Sequence, residues 1–462
     1  MTSSDTLVPD RMTPESASRH VAVLVEQNHR RNLARYRIHE APPVERLGIV
    51  GAGVMGSIVS ASAIGYGVPV VITDQNPEAL ASIRQAVQVR MQAECLDSPP
   101  DASQRVAELV TVTRNLAEVA ACDLVVESIV ENITTKRGFY CDLEKLCRDE
   151  TLIVSNTSTL PITELAAHLR HPQRFCGLHY FPPIGEQKML EIIPSAKTSD
   201  AATARLIRFS ERIGRIPVVV ADGRGFLVNR ILMAYMSAGI RLLIQGIEIA
   251  AIESAALAFG MRMGPIRLYD EVGLDVALHC GFSLSADSDT LVVRTPIVVR
   301  LIKAKHLGCK AGRGFFIHEV SDSSEQVGAV NPKALQLIES EMKSRAHLSP
   351  AEIEAAITLP MVIEAAKLLD SGRAHSAGQL DLAVMCGFGF AASRGGPLYW
   401  ADQVGADRIV QMLKTLQHLG PHLLPTQSLL DAAERRQRFY DRNHDERGNP
   451  AAHSSPAVRN MP

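Results

Sequence analysis

An α/β domain with a parallel sheet, followed by two all-helical units, is predicted by three observations. Leu47 to Val50, the turn Gly51-Ala52-Gly53-Val54-Met55-Gly56, a run of small residues and Val68 to Thr73 read as strand, tight turn, helix and strand. From there to about Asp222, apolar runs of strand length alternate with helical segments, the pattern of a parallel sheet with helices on both faces. After Gly225 the strand signal stops, helical periodicity takes over, and part of the sequence repeats itself.

Residues 1–45 precede the sheet. Residues 1 to about 12 are polar, and Thr13-Pro14-Glu15 reads as a helix start, with an N-cap, a proline in the first turn and an acid beside it. The helix is expected to reach about Tyr36, with Val21, Leu24, Val25 and Leu33 on or near one face. Arg30, Arg31, Arg35 and Arg37 read as a solvated face, a phosphate-binding patch being the alternative. Pro42-Pro43 marks the boundary.

In the glycine turn each glycine has a physical task. Gly51 permits the turn, Gly53 lets backbone N–H groups approach phosphate oxygens, and Gly56 lets the helix pack close to the strand. Ser57, Ser60, Ala61, Ser62 and Ala63 are small enough to lie against a sheet. Asp74 closes the second strand 23 residues after Gly51, near the ~20 at which a carboxylate meets a ribose in the dinucleotide fingerprint. The stretch therefore reads as a Rossmann-type dinucleotide site formed by Gly51, Gly53, Gly56 and Asp74, with Met55 in the turn, a glycine-rich turn without a ligand being the alternative. A carboxylate at Asp74 repels a 2′-phosphate, so NAD is favoured over NADP.

Asn76-Pro77-Glu78 starts another helix, which ends near Pro99-Pro100. Strands are expected at Val110 to Thr113, Asp123 to Glu127 and Thr151 to Ser155, with a helix from about Thr135 to Cys147 between the last two. Phe175 to Phe181, Met189 to Pro194 and Ile216 to Val220 read as further strands, closing the NAD-binding domain over 46–222. Phe226 to Ile244 is a long apolar helix, and helix-like segments continue to about Leu307, giving a first helical unit over 223–320. The polar stretch Ser321 to Gln326 suggests a linker over 321–348. Ser349-Pro350-Ala351-Glu352 is a capped start for a second helical unit over 349–440, and the tail 441–462, rich in Asn, His, Ser and Pro, reads as disordered.

The two helical units share a pattern. Gly264-Pro265 and Tyr269-Asp270-Glu271-Val272-Gly273-Leu274-Asp275 recur as Gly396-Pro397 and Ala401-Asp402-Gln403-Val404-Gly405-Ala406-Asp407 at a constant offset of 132. Leu242-Leu243 and Gly246 return as Leu368-Leu369 and Gly372. Two such units can form within one chain the interface that a single-copy protein makes by dimerising, so a monomer or a homodimer is expected.

Composition removes several functions. At 462 residues two or three domains are expected, and a formal charge of −2 gives no basic footprint for nucleic acid. The eight cysteines form no CxxC pair and no His/Cys cluster has zinc-ligand spacing, so no metal is expected. No apolar run reaches the ~18 residues of a membrane span and no signal-peptide core is present, which makes the cytoplasm the expected location.

The chemistry-bearing cluster is Ser158, His179, Glu191 and Asn229. Ser158 and His179 both follow or end expected strands, where open α/β sheets place ligands. A histidine there can abstract a hydroxyl proton near neutral pH, and Glu191, twelve residues on, can return on the next strand to hold the second ring nitrogen. Each has a plainer alternative: a structural histidine, a serine capping the helix that contains Glu164, and an asparagine in a helix's first turn. The residues alone lead to an NAD-binding protein, read as a dehydrogenase.

Several long motifs add a resemblance: VVESIVEN at Val125 to Asn132, SNTSTLPITELA at Ser155 to Ala166, GLHYFPP at Gly177 to Pro183, GFLVNR at Gly225 to Arg230 and GFGFAASRGG at Gly387 to Gly396. With these the sequence resembles the L-3-hydroxyacyl-CoA dehydrogenase family over about Arg46 to Tyr440, especially the dehydrogenase half of the alpha subunit of the bacterial fatty-acid oxidation complex. The resemblance implies oxidation of an (S)-3-hydroxyacyl-CoA to the 3-ketoacyl-CoA, with His179 as base, Glu191 as its orienting partner, and Ser158 and Asn229 around the substrate's 3-oxygen. It implies Glu131, Asn132 and Lys136 beside the nicotinamide ribose, Ser158 near the cofactor as well, and Lys310 reaching the cofactor from the helical part. An acyl-CoA substrate and a thiolase or hydratase partner belong to the same implication.

The chain departs from the family pattern at three places. Pro182 stands where the family has asparagine, which removes an amide and fixes the backbone. Cys386 stands where the complex has a tyrosine associated with substrate, and only about 45 residues precede the dehydrogenase part, so no hydratase is expected and the first helix reads as a remnant of an inter-domain linker. A dehydrogenase of a small free hydroxy acid, or a catalytically impaired NAD-binding homologue, are the competing expectations.

Overall fold

The computed structural model describes residues 11–94, 102–181, 189–287, 291–293, 295–318, 328–342 and 347–442. Its sheet is built from β1 (Leu47–Val50), β2 (Val70–Thr73), β3 (Val110–Val112), β4 (Leu124–Glu127), β5 (Leu152–Ser155), β6 (Phe175–Tyr180), β7 (Met189–Pro194) and β8 (Ile216–Val219). The spatial order is β3-β2-β1-β4-β5-β6-β7-β8, parallel throughout except for the antiparallel pair β6–β7. The inner strands are buried along their whole length, as apolar runs flanked by helices on both faces require. After β1 the chain builds outward to β2 and β3, then returns to place β4 on the other side of β1. That reversal opens a crevice at the carboxyl ends of β1 and β4, beside Val50 and Glu127.

The helices around the sheet are α1 (Pro14–Arg35), α2 (Val54–Gly65), α3 (Pro77–Glu94), α4 (Ala102–Leu109), α5 (Leu116–Ala120), α6 (Ile133–Glu144), α7 (Ile162–Leu165) and α8 (Asp200–Arg212). α6 starts two residues earlier than expected, because the Asn132 side chain accepts the Thr135 N–H and caps it. α1 begins where the sequence signals it, with Thr13 Oγ1 accepting the Ser16 N–H. It is packed into the fold: Leu24, Asn28 and Asn32 are buried, and both asparagine amides donate to the Pro217 carbonyl of β8, at 2.8 and 3.1 Å. On and just after it, Arg30 pairs with Glu26, Arg35 lies over the Tyr36 ring and Arg37 pairs with Glu40.

The remaining helices are α9 (Val228–Ile244), α10 (Ile249–Phe259), α11 (Pro265–Val272), α12 (Leu274–Leu284), α13 (Pro296–Lys303), α14 (Pro332–Ile338), α15 (Pro350–Asp370), α16 (Ala377–Phe388), α17 (Pro397–Val404), α18 (Ala406–Leu416) and α19 (Gln427–Arg435). α14 falls inside the stretch expected to be a linker, and its Ala334 and Ile338 are buried, so that stretch carries core. α15 starts on a complete capping box between Ser349 and Glu352. Most of the tail expected to be disordered, 443–462, lies outside the described residues.

The repeat is visible as shared solutions to the same local problems. Gly273 and Gly405, at helix-to-helix corners, adopt φ 92°, ψ 127° and φ 93°, ψ 134°, values that favour glycine. A carboxylate on the preceding helix satisfies the first N–H groups in each unit: Glu253 takes Gly264, Ile266 and Arg267, and Asp381 takes Leu398 and Tyr399. Asp270 then accepts from Phe315 and Phe316 N–H, as Asp402 does from Phe439 and Tyr440. α9 packs along α15, where Arg230 Nε meets Glu364 Oε1 at 2.5 Å with both groups buried. One continuous apolar core joins these helices to one face of the sheet, while a second lies under α2, α3, α4 and α8.

Candidate active site

The glycine turn has the shape its spacing requires. Gly51 has φ +111°, and a Cβ there would lie 2.5 Å from the Ser128 carbonyl oxygen; a Cβ on Gly56 would collide with the carbonyl oxygen of Gly51. Around Gly53, by contrast, a Cβ would meet nothing within 4 Å. Gly53 is the N-cap of α2 and offers no side-chain cap, so no cap side chain takes the first N–H groups of this twelve-residue helix. Asp74 accepts the Ala52 N–H at 2.6 Å and the Asn76 N–H at 2.8 Å, bracing the turn from the end of β2. An open helix N-terminus, free space above Gly53 and a carboxylate at the next strand end fit a dinucleotide.

His179 and Glu191 are direct partners in the β6–β7 ladder. His179 Nδ1 lies 2.8 Å from Glu191 Oε2, and the two side chains are 3% and 0% exposed. Because an ionised carboxylate only accepts, Nδ1 carries the proton in the neutral ring and Nε2 is the free base. Among the described residues Nε2 has no hydrogen-bond partner. Glu191 Oε1 accepts from the backbone N–H groups of Val228 at 3.1 Å and Leu227 at 3.3 Å, at the start of α9. The Glu191 carboxylate thus caps a helix whose own N-cap residue, Leu227, has no side chain able to do so. Phe181 and Phe226 border the imidazole at centroid distances of 4.3 and 5.8 Å.

Ser158 sits on the loop after β5, facing a cleft of about 300 Å³ between the sheet's carboxyl edge and α12. Met55 and Glu131 line the same cleft, and Asp275, Val276, His279 and Cys280 close it from α12. Glu131 Oε1 holds the loop by accepting Thr157 Oγ1 at 2.5 Å, Ser158 N–H at 3.0 Å and Thr159 N–H at 3.3 Å. From the helical side, Asn229 Nδ2 donates to the Ser158 carbonyl at 2.9 Å. Burial pushes the Cys280 thiol up to about 12, so it stays neutral in the cleft wall. A larger cavity of about 670 Å³, between the α9–α10 corner and α14, shares no residue with the glycine turn or the histidine pair.

The other expected contacts fall into two groups. Met55, Glu131 and Ser158 reach the cleft directly. Lys310 stands beside it, its Nζ held by both oxygens of the cleft residue Asp275 at 2.6 and 2.7 Å. Asn132 spends its side-chain oxygen capping α6, and Lys136 is buried with its ammonium 2.6 Å from Glu127 and 3.4 Å from Glu131. Cys386 lies on α16, which packs against β7, and burial pushes its thiol up to about 11. Pro182 lies outside the described residues.

Two groups of site residues were not singled out from the sequence. Asn156, inside the motif that supplied Ser158, accepts the Tyr180 N–H at 2.9 Å and donates to Ser128 Oγ at 3.2 Å, tying the β5 loop to the residue after His179. Asp275, Val276, His279 and Cys280 follow the i, i+1, i+4, i+5 spacing of one helical face, a signal that was available but mixed with the repeat.

Comparison with known proteins agrees with this geometry. Residues 46–255 match the model of the 3-hydroxyacyl-CoA dehydrogenase NAD binding domain, and residues 225–318 match that of the 3-hydroxyacyl-CoA dehydrogenase C-terminal domain. The chain is 30% identical over 423 residues to the fatty acid oxidation complex subunit alpha of Idiomarina loihiensis, a match covering 90% of this chain and 59% of that protein's length. The crystal structure of 3-hydroxybutyryl-CoA dehydrogenase from Escherichia coli K12 superposes with a TM-score of 0.70 at 23% identity, covering 85% of this chain and 99% of that one, and shares its fold. The (S)-3-hydroxybutyryl-CoA dehydrogenase from Ralstonia eutropha gives a TM-score of 0.54 at 27% identity over 60% of this chain and 99% of that one. With the two domain models overlapping and together spanning residues 46–318, on a glycine turn and a strand ladder that fit a dinucleotide and a proton acceptor, the chain belongs to the 3-hydroxyacyl-CoA dehydrogenase family of NAD-dependent oxidoreductases.

Proposed function

We propose that this chain oxidises an (S)-3-hydroxyacyl-CoA to the 3-ketoacyl-CoA with NAD, in fatty-acid metabolism. The observation that carries this reading is the buried His179–Glu191 pair, with Nδ1 committed to the carboxylate and Nε2 left as the base. His179 Nε2 takes the proton of the substrate's 3-hydroxyl, and Glu191 stabilises the imidazolium that forms. The Ser158 hydroxyl and the Asn229 amide hold the 3-oxygen in line with Nε2. NAD, when bound, supplies the hydride acceptor for C3. In the reverse direction the protonated imidazole donates to the carbonyl oxygen and stabilises the charge developing there.

On the cofactor side, the α2 N-terminus and the turn of Gly51, Gly53, Met55 and Gly56 receive the pyrophosphate, Asp74 the adenine ribose, and Glu131 the nicotinamide ribose. Lys310 approaches from the helical side once it leaves Asp275. The internal packing of α9 on α15 supports a chain that works as a monomer, a homodimer being the alternative; a cytoplasmic location and a thiolase or hydratase partner belong to the same reading. Sedimentation of the purified protein tests the first point and co-purification with such enzymes the last.

The deciding experiment follows NADH absorbance with acetoacetyl-CoA for the wild-type protein and for His179→Gln. Turnover in the wild type that disappears in the variant is the expected outcome. Equal rates in both, or no turnover at any acyl length, would remove the mechanism, and faster turnover of a free hydroxy acid than of any CoA ester would replace the substrate class.

A further inference from the structure

α12 forms the outer wall of the cleft through Asp275, Val276, His279 and Cys280, so the contacts at its two ends decide where that wall stands opposite Ser158. It begins at the Gly273 corner within the first helical unit. Its far end is held from other parts of the chain. Leu284, the last residue of α12, fills the space that a Cβ on Gly225 would take, next to the Phe226 that borders the His179 ring. Three residues on, the Asp287 carboxylate faces three arginines: Arg230 of α9 at 3.3 Å, Arg373 at 3.4 Å and Arg224 at 3.8 Å.

Each arginine is tied to something else as well. Arg224 follows β8 and reaches Glu164 at 3.1 Å, and Arg230 is shared with Glu364 of α15. Arg373 stands at the corner between α15 and α16, in the second helical unit. Its Nη1 donates to the Arg224 carbonyl at 3.4 Å, and its own carbonyl accepts the Ala221 N–H at 3.3 Å. The guanidinium lies against Gly223, where a Cβ would stand 2.7 Å from Cζ. A single exposed ion pair adds little, but a part-buried network anchored on backbone groups has direction as well as charge. The repeat does not itself call for a cation here, because Arg373 follows Gly372 where Ile247 follows Gly246 in the first unit.

We propose that Asp287 and Arg373 are positioning residues for the substrate side of the cleft: the second helical unit, through Arg373, holds the end of α12 and so sets how closely the wall of Val276, His279 and Cys280 approaches the acyl-CoA. The duplicated unit thereby takes part in substrate binding, beyond completing an interface within the chain. This role rests on the proposed acyl-CoA reading of the cleft, while the hold on α12 is measured without any turnover.

The test uses Arg373→Gln, Asp287→Asn and the two together in the full chain. Amide hydrogen exchange over α12 is expected to quicken roughly tenfold in either single variant, with α18, its counterpart in the second unit, unchanged. The KM for acetoacetyl-CoA is expected to rise about fivefold while kcat and NADH affinity stay within about twofold, and the double variant is expected to be no worse than the worse single one. Unchanged exchange over α12 in both single variants would overturn the proposal, as would α18 quickening as much as α12, which would mean a general loosening of the second unit. Additive effects in the double variant, or NADH affinity weakening as much as KM rises, would overturn it too. A wild-type protein inactive on acetoacetyl-CoA would instead remove the proposed function, and the exchange measurement would still decide whether the second unit holds α12.

Discussion

Glu191 faces His179 across the β6–β7 ladder and gives one oxygen to the imidazole and the other to the first turn of α9. The proposed chemistry and the packing of α9 therefore meet at one carboxylate, and two substitutions separate them. Glu191→Gln keeps an oxygen for the helix but turns an N–H toward Nδ1, favouring the wrong histidine tautomer. Its kcat should fall by roughly 10²-fold or more, with a melting temperature close to the wild type. Glu191→Ala should lose activity to a similar extent and also about 1–2 kcal/mol of stability from the uncapped helix. Equal melting temperatures for the two variants would show that the contact with α9 contributes nothing.

Gly53 and Gly56 should respond differently to alanine although only two residues separate them. A methyl group at Gly56 runs into the carbonyl oxygen of Gly51, a backbone atom that cannot step aside. Gly56→Ala should cost roughly 1–3 kcal/mol of stability or prevent folding. Gly53→Ala meets no protein atom and sits in extended backbone, so it should melt normally and weaken NADH binding by about tenfold or more. Fluorescence titration with NADH beside thermal melts distinguishes the two, and normal NADH affinity in Gly53→Ala would mean that the phosphates do not lie over that residue.

Asp74 bears on both cofactor choice and the turn itself. Since it accepts the Ala52 and Asn76 N–H groups, Asp74→Ala removes a brace as well as a charge. Asp74→Asn retains one acceptor and removes the repulsion toward a 2′-phosphate. The ratio of kcat/KM for NADP over NAD should rise about tenfold. An unchanged ratio would leave Asp74 as a structural residue of the turn.

The second helical unit carries a pH-sensitive carboxyl. Burial pushes Asp381 up to about 8, against the pull of the Leu398 and Tyr399 N–H groups and the Tyr440 hydroxyl. A carboxyl whose folded pKa exceeds its unfolded value of about 3.9 contributes stability that is complete below the unfolded value and lost as pH rises through the folded one. The melting temperature of the wild type should therefore fall, relative to Asp381→Asn, between about pH 4 and pH 8. The comparison concerns the slope, because asparagine also gives up one acceptor at every pH. Parallel curves for the two proteins would show that Asp381 keeps the same charge throughout.

The NAD-binding half was nearly complete in the sequence because its signals are local. Strand, glycine turn, helix and Asp74 lie within thirty residues, and backbone sterics alone determine what Gly51 and Gly56 must do. The pairing of His179 with Glu191 was expected from the twelve-residue separation, and a short antiparallel return is the arrangement that brings such residues face to face. What stayed hidden depends on contacts distant in sequence. The burial of Lys136 needs Glu127 and Tyr140 around it, the brace on Ser158 needs Glu131 from another loop, and the α12 wall of the cleft needs the helical part in place. The linker expected at 321–348 carries α14 because a polar run says nothing of an adjoining short segment whose Ala334 and Ile338 find a core.

β8 ends the sheet, and its outer side would otherwise present unpaired backbone groups to any extended chain that came near. α1 lies across that border, with Asn28 and Asn32 both occupying the carbonyl of Pro217, a residue that has no N–H of its own to offer. The helix that reads in sequence as a leftover of a larger architecture thus covers part of this sheet edge. A protein trimmed to begin at Arg46 would retain its glycine turn and its histidine, and leave the Pro217 carbonyl at the sheet's edge without the two amides that now occupy it.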